Sequence, residues 1–331
     1  MQTRKMRDNI TISAVGLGCM GLTHAFGDPL EISEAVNIIA RAVDMGYLLF
    51  DTAECYTGIK PDGTIARNEE AVGEGLRPYR GNIILATKFG VSFGNNTMLL
   101  DSKPASIRKA LDGSLKRLGT DYVDLYYQHR IDPEVEPEIV ADTMARLIKE
   151  GKIRAWGISE VDNENYLRRA HSVCPVSAVQ NIYSMIDRET EALFPVFEEL
   201  GITLVAYTPL AKGFLSGTFS KNVKFENVQD NRSGRFQFSS EGFDHYQAVL
   251  DLIQDIAGKK NATAAQVSLA WMLNRKPWII PIPGTRSLSR LQENANASEI
   301  ILSASEIQAL DGALNTMNLR NTADGWYSVK K

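Results

Sequence analysis

Three apolar runs in the first 130 residues end in ionisable side chains, and a fourth such side chain lies close by. YLLFD ends in Asp51, NIILATK ends in Lys88 and YVDLYYQH ends in His129, while Tyr56 follows Asp51 by five residues. Short apolar runs of this kind predict buried strands. Because neighbouring parallel strands end at the same edge of a sheet, we expect the four side chains to lie together at that edge.

These four residue types together suit proton transfer. A tyrosine hydroxyl has an ordinary pKa of about 10, and a nearby ammonium such as Lys88 lowers that pKa by stabilising the phenolate. Asp51 can keep Lys88 protonated, and His129 can donate to a substrate oxygen or relay a proton. The set suits protonation of a carbonyl oxygen while a nucleophile reaches the carbon. None of the four residues can supply hydride as this nucleophile, so we expect a cofactor to supply it. Each residue alone also has a structural interpretation, such as a cap or a satisfied ion pair.

Composition narrows the class of protein. A chain of 331 residues with 44% hydrophobic and 23% charged residues is typical of a soluble globular protein. The formal net charge of −4 gives no reason to expect nucleic acid or an anionic membrane as a partner. The N-terminus has no apolar signal core, and no stretch approaches the ~18 apolar residues of a membrane span. Cys19, Cys55 and Cys174 lack CxxC spacing, which favours a reducing compartment. We expect a cytoplasmic protein with a small-molecule substrate, compatible with homo-oligomer formation.

Strand-like and helix-like segments alternate along the chain after a predicted N-terminal hairpin. The predicted strands are 14–18, 47–51, 82–88, 122–129, 152–159, 177–181, 202–210 and 278–284. The predicted helices are 33–46, 68–76, 103–119, 137–151, 163–170, one ending at 198–201, 244–260, 263–274, 287–297 and 305–315. Eight such units with near-continuous apolar strands favour an α/β fold, a closed (β/α)8 TIM barrel, over a doubly wound sheet.

The interval 208–244, after the seventh predicted strand, has few apolar runs. A loop of this length inside a compact domain is usually functional and often covers a site. The alternative interpretation, a linker between two domains, is weaker because the eighth strand lies beyond the interval and is needed to close the barrel. The sequence therefore predicts a single domain over residues 1–331. The 57–67 loop and the C-terminal tail around Trp326 are expected to shape the substrate opening.

Seven blocks in order make the chain resemble the aldo-keto reductases. The blocks are DTAECY (51–56), ATK (86–88), YYQHR (126–130), EGKIRAWGISE (150–160), VQNIYS (179–184), YTPLAKGFLSG (207–217) and IPIPGTRSLSRLQEN (280–294). The resemblance extends over essentially the whole chain, from VGLGCMG (15–21) onward. It implies NADPH-dependent reduction of aldehydes or ketones on a (β/α)8 barrel. It also implies a catalytic tetrad in which Tyr56 is the general acid, Lys88 tunes it, Asp51 pairs with Lys88 and His129 orients the carbonyl.

The same resemblance implies positions that bind the cofactor. Ser159 and Gln180 would hold the nicotinamide carboxamide, and Tyr207 would stack on the nicotinamide ring. Backbone of the loop at Gly213, Leu215 and Gly217 would approach the pyrophosphate. The remaining positions implied are Gly18, Met20, Asp51, Pro209, Leu210, Gly284, Thr285, Arg286, Arg290, Glu293 and Asn294.

The segment 284–294 carries the prediction of cofactor preference. Backbone N–H groups at a helix start favour an anion, and arginines such as Arg286 and Arg290 add charge-assisted bonds to phosphate. This favours NADPH/NADP+, with its extra 2′-phosphate, over NADH, and Glu293 and Asn294 would contact the adenine. GLGCMG (16–21) has the GxGxxG spacing, but the next predicted helix begins only at residue 33, so the motif does not open a helix and a GxGxxG dinucleotide fold is unsupported. Glu160 stands where many members of the family have Asn, and Thr57 follows Tyr56 where Gly is common.

Two other functions remain open at the level of sequence. Some barrels that resemble this family serve as nucleotide-sensing regulatory β-subunits with little turnover, and an intact tetrad is compatible with that function. A metal-dependent barrel lyase or hydrolase using Asp51 and His129 as ligands is weaker. The chain has only four histidines and contains neither HxH nor HExxH. No metal is predicted.

Overall fold

The computed structural model describes residues 1–7, 10–94, 97–227, 229–317 and 319. Its strands in chain order are β1 (Thr3–Lys5), β2 (Thr11–Ser13), β3 (Leu17–Gly18), β4 (Leu49–Asp51), β5 (Thr57–Ile59), β6 (Ile65–Arg67), β7 (Ile84–Phe89), β8 (Val91–Gly94), β9 (Thr97–Leu100), β10 (Val123–Gln128), β11 (Ile153–Ser159), β12 (Ala178–Ile182), β13 (Thr203–Tyr207) and β14 (Ile279–Pro281). Its α-helices are α1 (Ile32–Asp44), α2 (Asn68–Leu76), α3 (Pro104–Leu118), α4 (Pro137–Lys149), α5 (Glu164–Val173), α6 (Phe194–Leu200), α7 (Ser240–Lys260), α8 (Ala264–Arg275), α9 (Leu288–Asn296) and α10 (Ala304–Asn315). None of the helices in these ranges is long and apolar enough to span a bilayer.

Eight of the strands form one parallel sheet in the order β14-β13-β12-β11-β10-β7-β4-β3. The sheet closes on itself, because the N–H of Gly16 donates to the carbonyl of Pro281 at 2.9 Å. The backbones approach closely at this seam: a Cβ on Gly18 would lie 2.7 Å from the Ile282 carbonyl oxygen, and a Cβ on Gly284 would lie 2.7 Å from the Gly18 oxygen. Glycine at both positions therefore permits closure. The predicted (β/α)8 TIM barrel is confirmed.

Side chains from the strands fill the barrel interior. The inner cluster takes buried residues from seven of the eight strands: Leu49, Ala86, Leu125, Tyr127, Ala155, Ala178, Val205 and Ile280. The predicted N-terminal hairpin is present as β1–β2, and Met6 and Ile12 pack into the same cluster. The hairpin covers one end of the barrel. The other end, at the carboxyl termini of the strands, is left to the loops, as in other barrels of this type.

The strand and helix predictions hold to within a few residues, with two differences that have local causes. The seventh strand ends at Tyr207 and not at 210, because Thr208 has φ +49, which a strand does not accommodate. Helix α7 begins at Ser240 and not at 244, because the Ser239 hydroxyl accepts from the Gly242 N–H at 3.0 Å and caps the helix.

Two hairpins at the mouth were not predicted. β5–β6 lies in the loop after β4, with Thr57 opposite Arg67, and β8–β9 follows β7 directly. Each strand has three or four residues, and Ile59 and Ile65 are about 60% exposed, so no alternating apolar run marks them in the sequence. The loop after β13 also has structure. It contains helical turns at Ala211–Ser216 and Phe236–Phe238.

The loop after β13 crosses the barrel mouth to the loop after β3. The N–H of Asn231 donates to the carbonyl of Ala25 at 3.0 Å, and Phe26 and Asp230 form a β-bridge. Three phenylalanines of the loop, Phe219, Phe225 and Phe238, pack edge to face with centroids 5.0–5.6 Å apart. The predicted long loop is therefore anchored at both sides of the opening, a position suited to covering a bound molecule.

Candidate active site

The structure brings the four predicted chemical residues together at the barrel mouth. Asp51 is the last residue of β4, Lys88 is the penultimate residue of β7 and His129 directly follows β10. Tyr56 lies in the turn between β4 and β5. Since β4, β7 and β10 are adjacent in the sheet, their ends place these side chains side by side, as expected from the sequence.

A buried ion pair forms the floor of the site. The Lys88 ammonium donates to Asp51 Oδ1 at 2.5 Å and to the carbonyl of Thr52 at 2.7 Å. The side chains of Lys88 and Asp51 are 0% and 4% exposed. Gln180 of β12 donates from Nε2 to the other carboxylate oxygen of Asp51 at 2.8 Å. Both charges are thereby partnered away from water, which fixes the orientation of the ammonium.

Tyr56 stands above this pair between two histidines. Lys88 Nζ lies 5.0 Å from the centre of the Tyr56 ring. The His24 ring stacks on Tyr56 at 5.8 Å and 15°, and the His129 ring meets it edge-on at 5.6 Å and 83°. His24 is itself fixed, because Nδ1–H donates to the carbonyl of Thr57 at 2.5 Å. Burial raises the pKa of Tyr56 well above its usual range, and the charge of Asp51 adds to this. The direction is opposite to the one predicted from the proximity of Lys88 alone.

His129 is a neutral imidazole. Burial lowers its pKa well below the usual range, and the positive charges of Arg130 and Lys88 lower it further. Its Nδ1 lies 3.4 Å from the Cys55 Sγ. A neutral ring carries one N–H and one acceptor nitrogen, so it can still donate to a substrate oxygen.

A cavity of about 700 Å³ opens beside these groups. It runs from the tetrad past the ends of β11, β12 and β13 to the segment that precedes α9. The predicted site residues that line it are Gly18, Met20, Asp51, Tyr56, His129, Ser159, Gln180, Tyr207, Pro209, Leu210, Gly213, Gly284, Thr285, Arg286, Arg290, Glu293 and Asn294.

Three predicted residues do not contribute to the cavity wall. Lys88 lies beneath the wall, paired with Asp51. Leu215 is fully buried, and its N–H is bonded to the carbonyl of Leu210 at 3.2 Å. Gly217 ends the helical turn with φ +70 and faces Gln254. Ser216 and Thr218 line the cavity in their place.

Several predicted cofactor residues have protein partners that the sequence did not indicate. Gln180 donates to Asp51, as described. Arg290 Nη1 forms an ion pair with Glu293, at 2.9 and 2.6 Å to the two carboxylate oxygens. Arg286 donates from Nε to the carbonyl of Gly21 at 2.5 Å and from Nη1 to that of Asp28 at 2.7 Å. The two contacts of Arg286 join the segment before α9 to the loop after β3.

The cavity fits a phosphate-bearing dinucleotide. Its wall carries the guanidinium groups of Arg130, Arg232, Arg286 and Arg290 together with the amine of Lys212. Two wall residues have a buried polar atom without a hydrogen-bond partner among the described residues, Thr208 Oγ1 and Arg286 Nη2. A buried polar atom without a partner is costly, so a bound polar group at these positions would be favoured.

Sequence reasoning missed several residues of this site. Arg130 lines the cavity next to His129, and its Nη1 donates to the His129 carbonyl at 2.9 Å. Lys212 is buried in the wall, and burial together with the charge of Arg235 lowers its pKa to about 7. His24 stacks on Tyr56. Arg130 lies in the block YYQHR and Lys212 in the block YTPLAKGFLSG, so their membership of these blocks could have identified them. No sequence pattern pointed to His24.

Glu160 also lines the cavity, and its carboxylate accepts from the Ile182 N–H at 3.4 Å. Among the described residues, no group of three or more His, Cys, Asp or Glu side chains is arranged to hold a metal ion. The C-terminal tail around Trp326, expected to shape the opening, lies outside the described residues.

The structure is a closed parallel barrel in which a buried Lys–Asp pair lies under a tyrosine at the strand ends, beside a cavity lined by arginines. This arrangement is suited to an enzyme. The model of the aldo/keto reductase family matches residues 14–315. The protein named "Probable aldo-keto reductase 1" from Glycine max is 38% identical over 304 residues, covering 90% of this chain and 84% of that protein. The chain belongs to the aldo/keto reductase family.

Solved structures of similar proteins agree with this assignment. A glycerol dehydrogenase from Gluconobacter oxydans superposes with a TM-score of 0.84 at 27% identity, covering 96% of each chain. An aldo/keto reductase from Klebsiella pneumoniae, in complex with NADP and acetate, has a TM-score of 0.72 at 27% identity, covering 97% of this chain and 98% of that one.

Proposed function

We propose that the protein is an NADPH-dependent oxidoreductase of the alcohol dehydrogenase type that reduces aldehydes and ketones to alcohols. The observation that carries the proposal is the buried Lys88–Asp51 pair beneath Tyr56, with His129 edge-on to the tyrosine, at the wall of the cavity. In this proposal Tyr56 is the proton donor and His129 is a second hydrogen-bond donor, and the adjoining cavity of about 700 Å³ would hold a cofactor and a small carbonyl compound.

In the proposed mechanism the substrate carbonyl oxygen lies between the Tyr56 hydroxyl and His129. NADPH, when bound, supplies the hydride to the carbonyl carbon. Because the pKa of Tyr56 is raised, the side chain is a phenol at neutral pH and can give a proton to the developing alkoxide. The ammonium of Lys88, oriented by Asp51, then stabilises the phenolate that remains. The charge of Arg130 acts in the same direction, since it lowers the pKa of Tyr56 against the larger effect of burial.

The proposed cofactor contacts follow the cavity. Ser159 and Gln180 lie at the ends of β11 and β12, where they would hold the carboxamide, and Tyr207 at the end of β13 would stack on the nicotinamide. The segment from Gly284 to Asn294 would bind the adenine half. The Klebsiella pneumoniae relative holds NADP, which supports the same cofactor here. Arg290, whose side chain is 41% exposed at the cavity wall, supports a preference for NADPH over NADH, because an arginine there would add charge-assisted bonds to a 2′-phosphate.

The test is carbonyl reduction by wild type and Tyr56→Phe, followed as loss of NADPH absorbance over a panel of aldehydes and ketones. We expect turnover by wild type and a loss of several orders of magnitude in the variant, with NADPH affinity unchanged in a fluorescence titration. Near-wild-type turnover in Tyr56→Phe would refute the acid assignment. Tight NADPH binding by wild type with negligible turnover across the panel would instead favour a nucleotide-sensing regulatory protein.

A further inference from the structure

The contact between His129 and Cys55 has no role in the mechanism above. The Cys55 Sγ lies 3.4 Å from His129 Nδ1, although the two residues are 74 positions apart in the chain. Cys55 belongs to the turn that also carries Tyr56, and His129 follows β10. The thiol therefore links the element that presents the proposed acid to the element that presents the proposed orienting group.

Both partners of this contact are neutral at physiological pH. Burial raises the pKa of the Cys55 thiol to about 12, so the sulfur keeps its proton. Burial and nearby positive charges hold the pKa of His129 well below its usual range, so the ring has a single proton. That proton can reside on Nδ1 or on Nε2, and the partner of the other nitrogen decides which.

The chemistry of the pair favours one direction of the hydrogen bond. A thiol sulfur is a weak acceptor, whereas an unprotonated imidazole nitrogen is a good one, so S–H to Nδ1 is the better arrangement. Nothing else among the described residues competes for Nδ1. The Tyr56 ring meets His129 edge-on, and the side chain of Arg130 bonds to the His129 carbonyl and not to its ring.

We propose that the Cys55 thiol donates to His129 Nδ1 and so places the ring proton on Nε2, the nitrogen that is then left to donate to a bound substrate. His129 lines the cavity, and its Nε2 has no hydrogen-bond partner among the described residues. Only this tautomer presents an N–H to a carbonyl oxygen held by Tyr56. Cys55 is thus a positioning residue that acts through His129. The catalytic consequence rests on the proposed function, whereas the tautomer does not.

The tautomer can be read directly by two-bond ¹H–¹⁵N NMR spectra of protein labelled with ¹⁵N-histidine. The chain has four histidines, and His129→Gln assigns the signal. We expect wild-type His129 to show a protonated Nε2 and an acceptor Nδ1. Cys55→Val removes the donor while filling its space against water, and should give a mixture of tautomers. Cys55→Ser, which restores a donor, should return the Nε2–H form. If Cys55→Val fails to fold, Cys55→Ala replaces it.

Turnover provides the second measurement. Loss of one weak hydrogen bond corresponds to roughly a fivefold factor, so kcat should fall about fivefold in Cys55→Val and recover in Cys55→Ser. Cys174→Ala, at the end of α5, is the matched control and should alter neither measurement. A wild-type Nδ1–H tautomer, or an unchanged tautomer in Cys55→Val, would overturn the proposal. A tautomer change in a protein without carbonyl reductase activity would leave the Cys55 assignment intact and refute the proposed function instead.

Discussion

The buried ion pair between Lys88 and Asp51 should dominate the energetics of the mouth, and a double-mutant cycle can measure it. At 2.5 Å, Coulomb's law with an effective dielectric constant of about 20 gives an attraction of about 6–7 kcal/mol. Desolvation of two almost fully buried groups offsets much of this. Removing one partner leaves an uncompensated buried charge, so we expect Lys88→Met to lower the free energy of unfolding by about 3–5 kcal/mol.

The second variant, Asp51→Asn, should cost a similar amount, because it leaves the Lys88 ammonium buried without its counter-charge. Asp51→Asn combined with Lys88→Met removes both charges, and should cost much less than the sum of the two. We therefore expect a coupling free energy of about 3 kcal/mol or more, which is a factor above 100 in the unfolding equilibrium.

The assay is equilibrium unfolding in urea, followed by far-UV circular dichroism and by tryptophan fluorescence, with coincident transitions as the check on two-state behaviour. The matched control is Lys259→Met. It breaks the ion pair to Asp255 at a similar separation of 2.6 Å, but with side chains 67% and 55% exposed. An exposed pair of this kind should cost less than about 1 kcal/mol. A coupling free energy between Lys88 and Asp51 that is no larger than the loss of unfolding free energy in Lys259→Met would refute the reasoning from burial.

Two further predictions concern the cofactor and pH. Arg290→Ala should weaken NADPH binding by roughly 10- to 100-fold through loss of charge-assisted bonds, with a much smaller effect on NADH in the same titration. Equal weakening of both cofactors would exclude a 2′-phosphate contact. Burial raises the pKa of Glu54 to about 7, and its carboxyl accepts from the Gly90 N–H at 3.1 Å. Because the folded protein then holds this proton more tightly than the unfolded chain does, Glu54 should contribute stability at pH 4–5 that is lost as pH rises through about 7. Glu54→Gln should remove about 1–3 kcal/mol of this pH dependence, measured as urea midpoints at pH 5 and pH 8, whereas the exposed Glu74→Gln should not.

Sequence reasoning predicted the barrel because the strands are apolar throughout and alternate with amphipathic helices. Such strands must be covered on both sides, and a closed sheet with helices outside satisfies this. The hairpins β5–β6 and β8–β9 were missed, because their short strands expose half of their side chains and their pairing depends on the turn that joins them. The anchoring of the loop after β13 could not be predicted either, because its contacts with Ala25 and Phe26 join distant parts of the chain.

The sequence alone predicted that Asp51, Tyr56, Lys88 and His129 meet at one edge, because neighbouring parallel strands end at the same edge of a sheet and the four residues lie at or just after such ends. Most residues of the cavity wall were also named from the sequence, through the resemblance of their blocks to the aldo-keto reductases. Only the tertiary structure decided the partners: Gln180 on Asp51, His24 stacked on Tyr56, Arg290 paired with Glu293 and Cys55 against His129. It also decided the direction in which the pKa of Tyr56 moves, because burial is a property of the packed molecule and no single segment contains it.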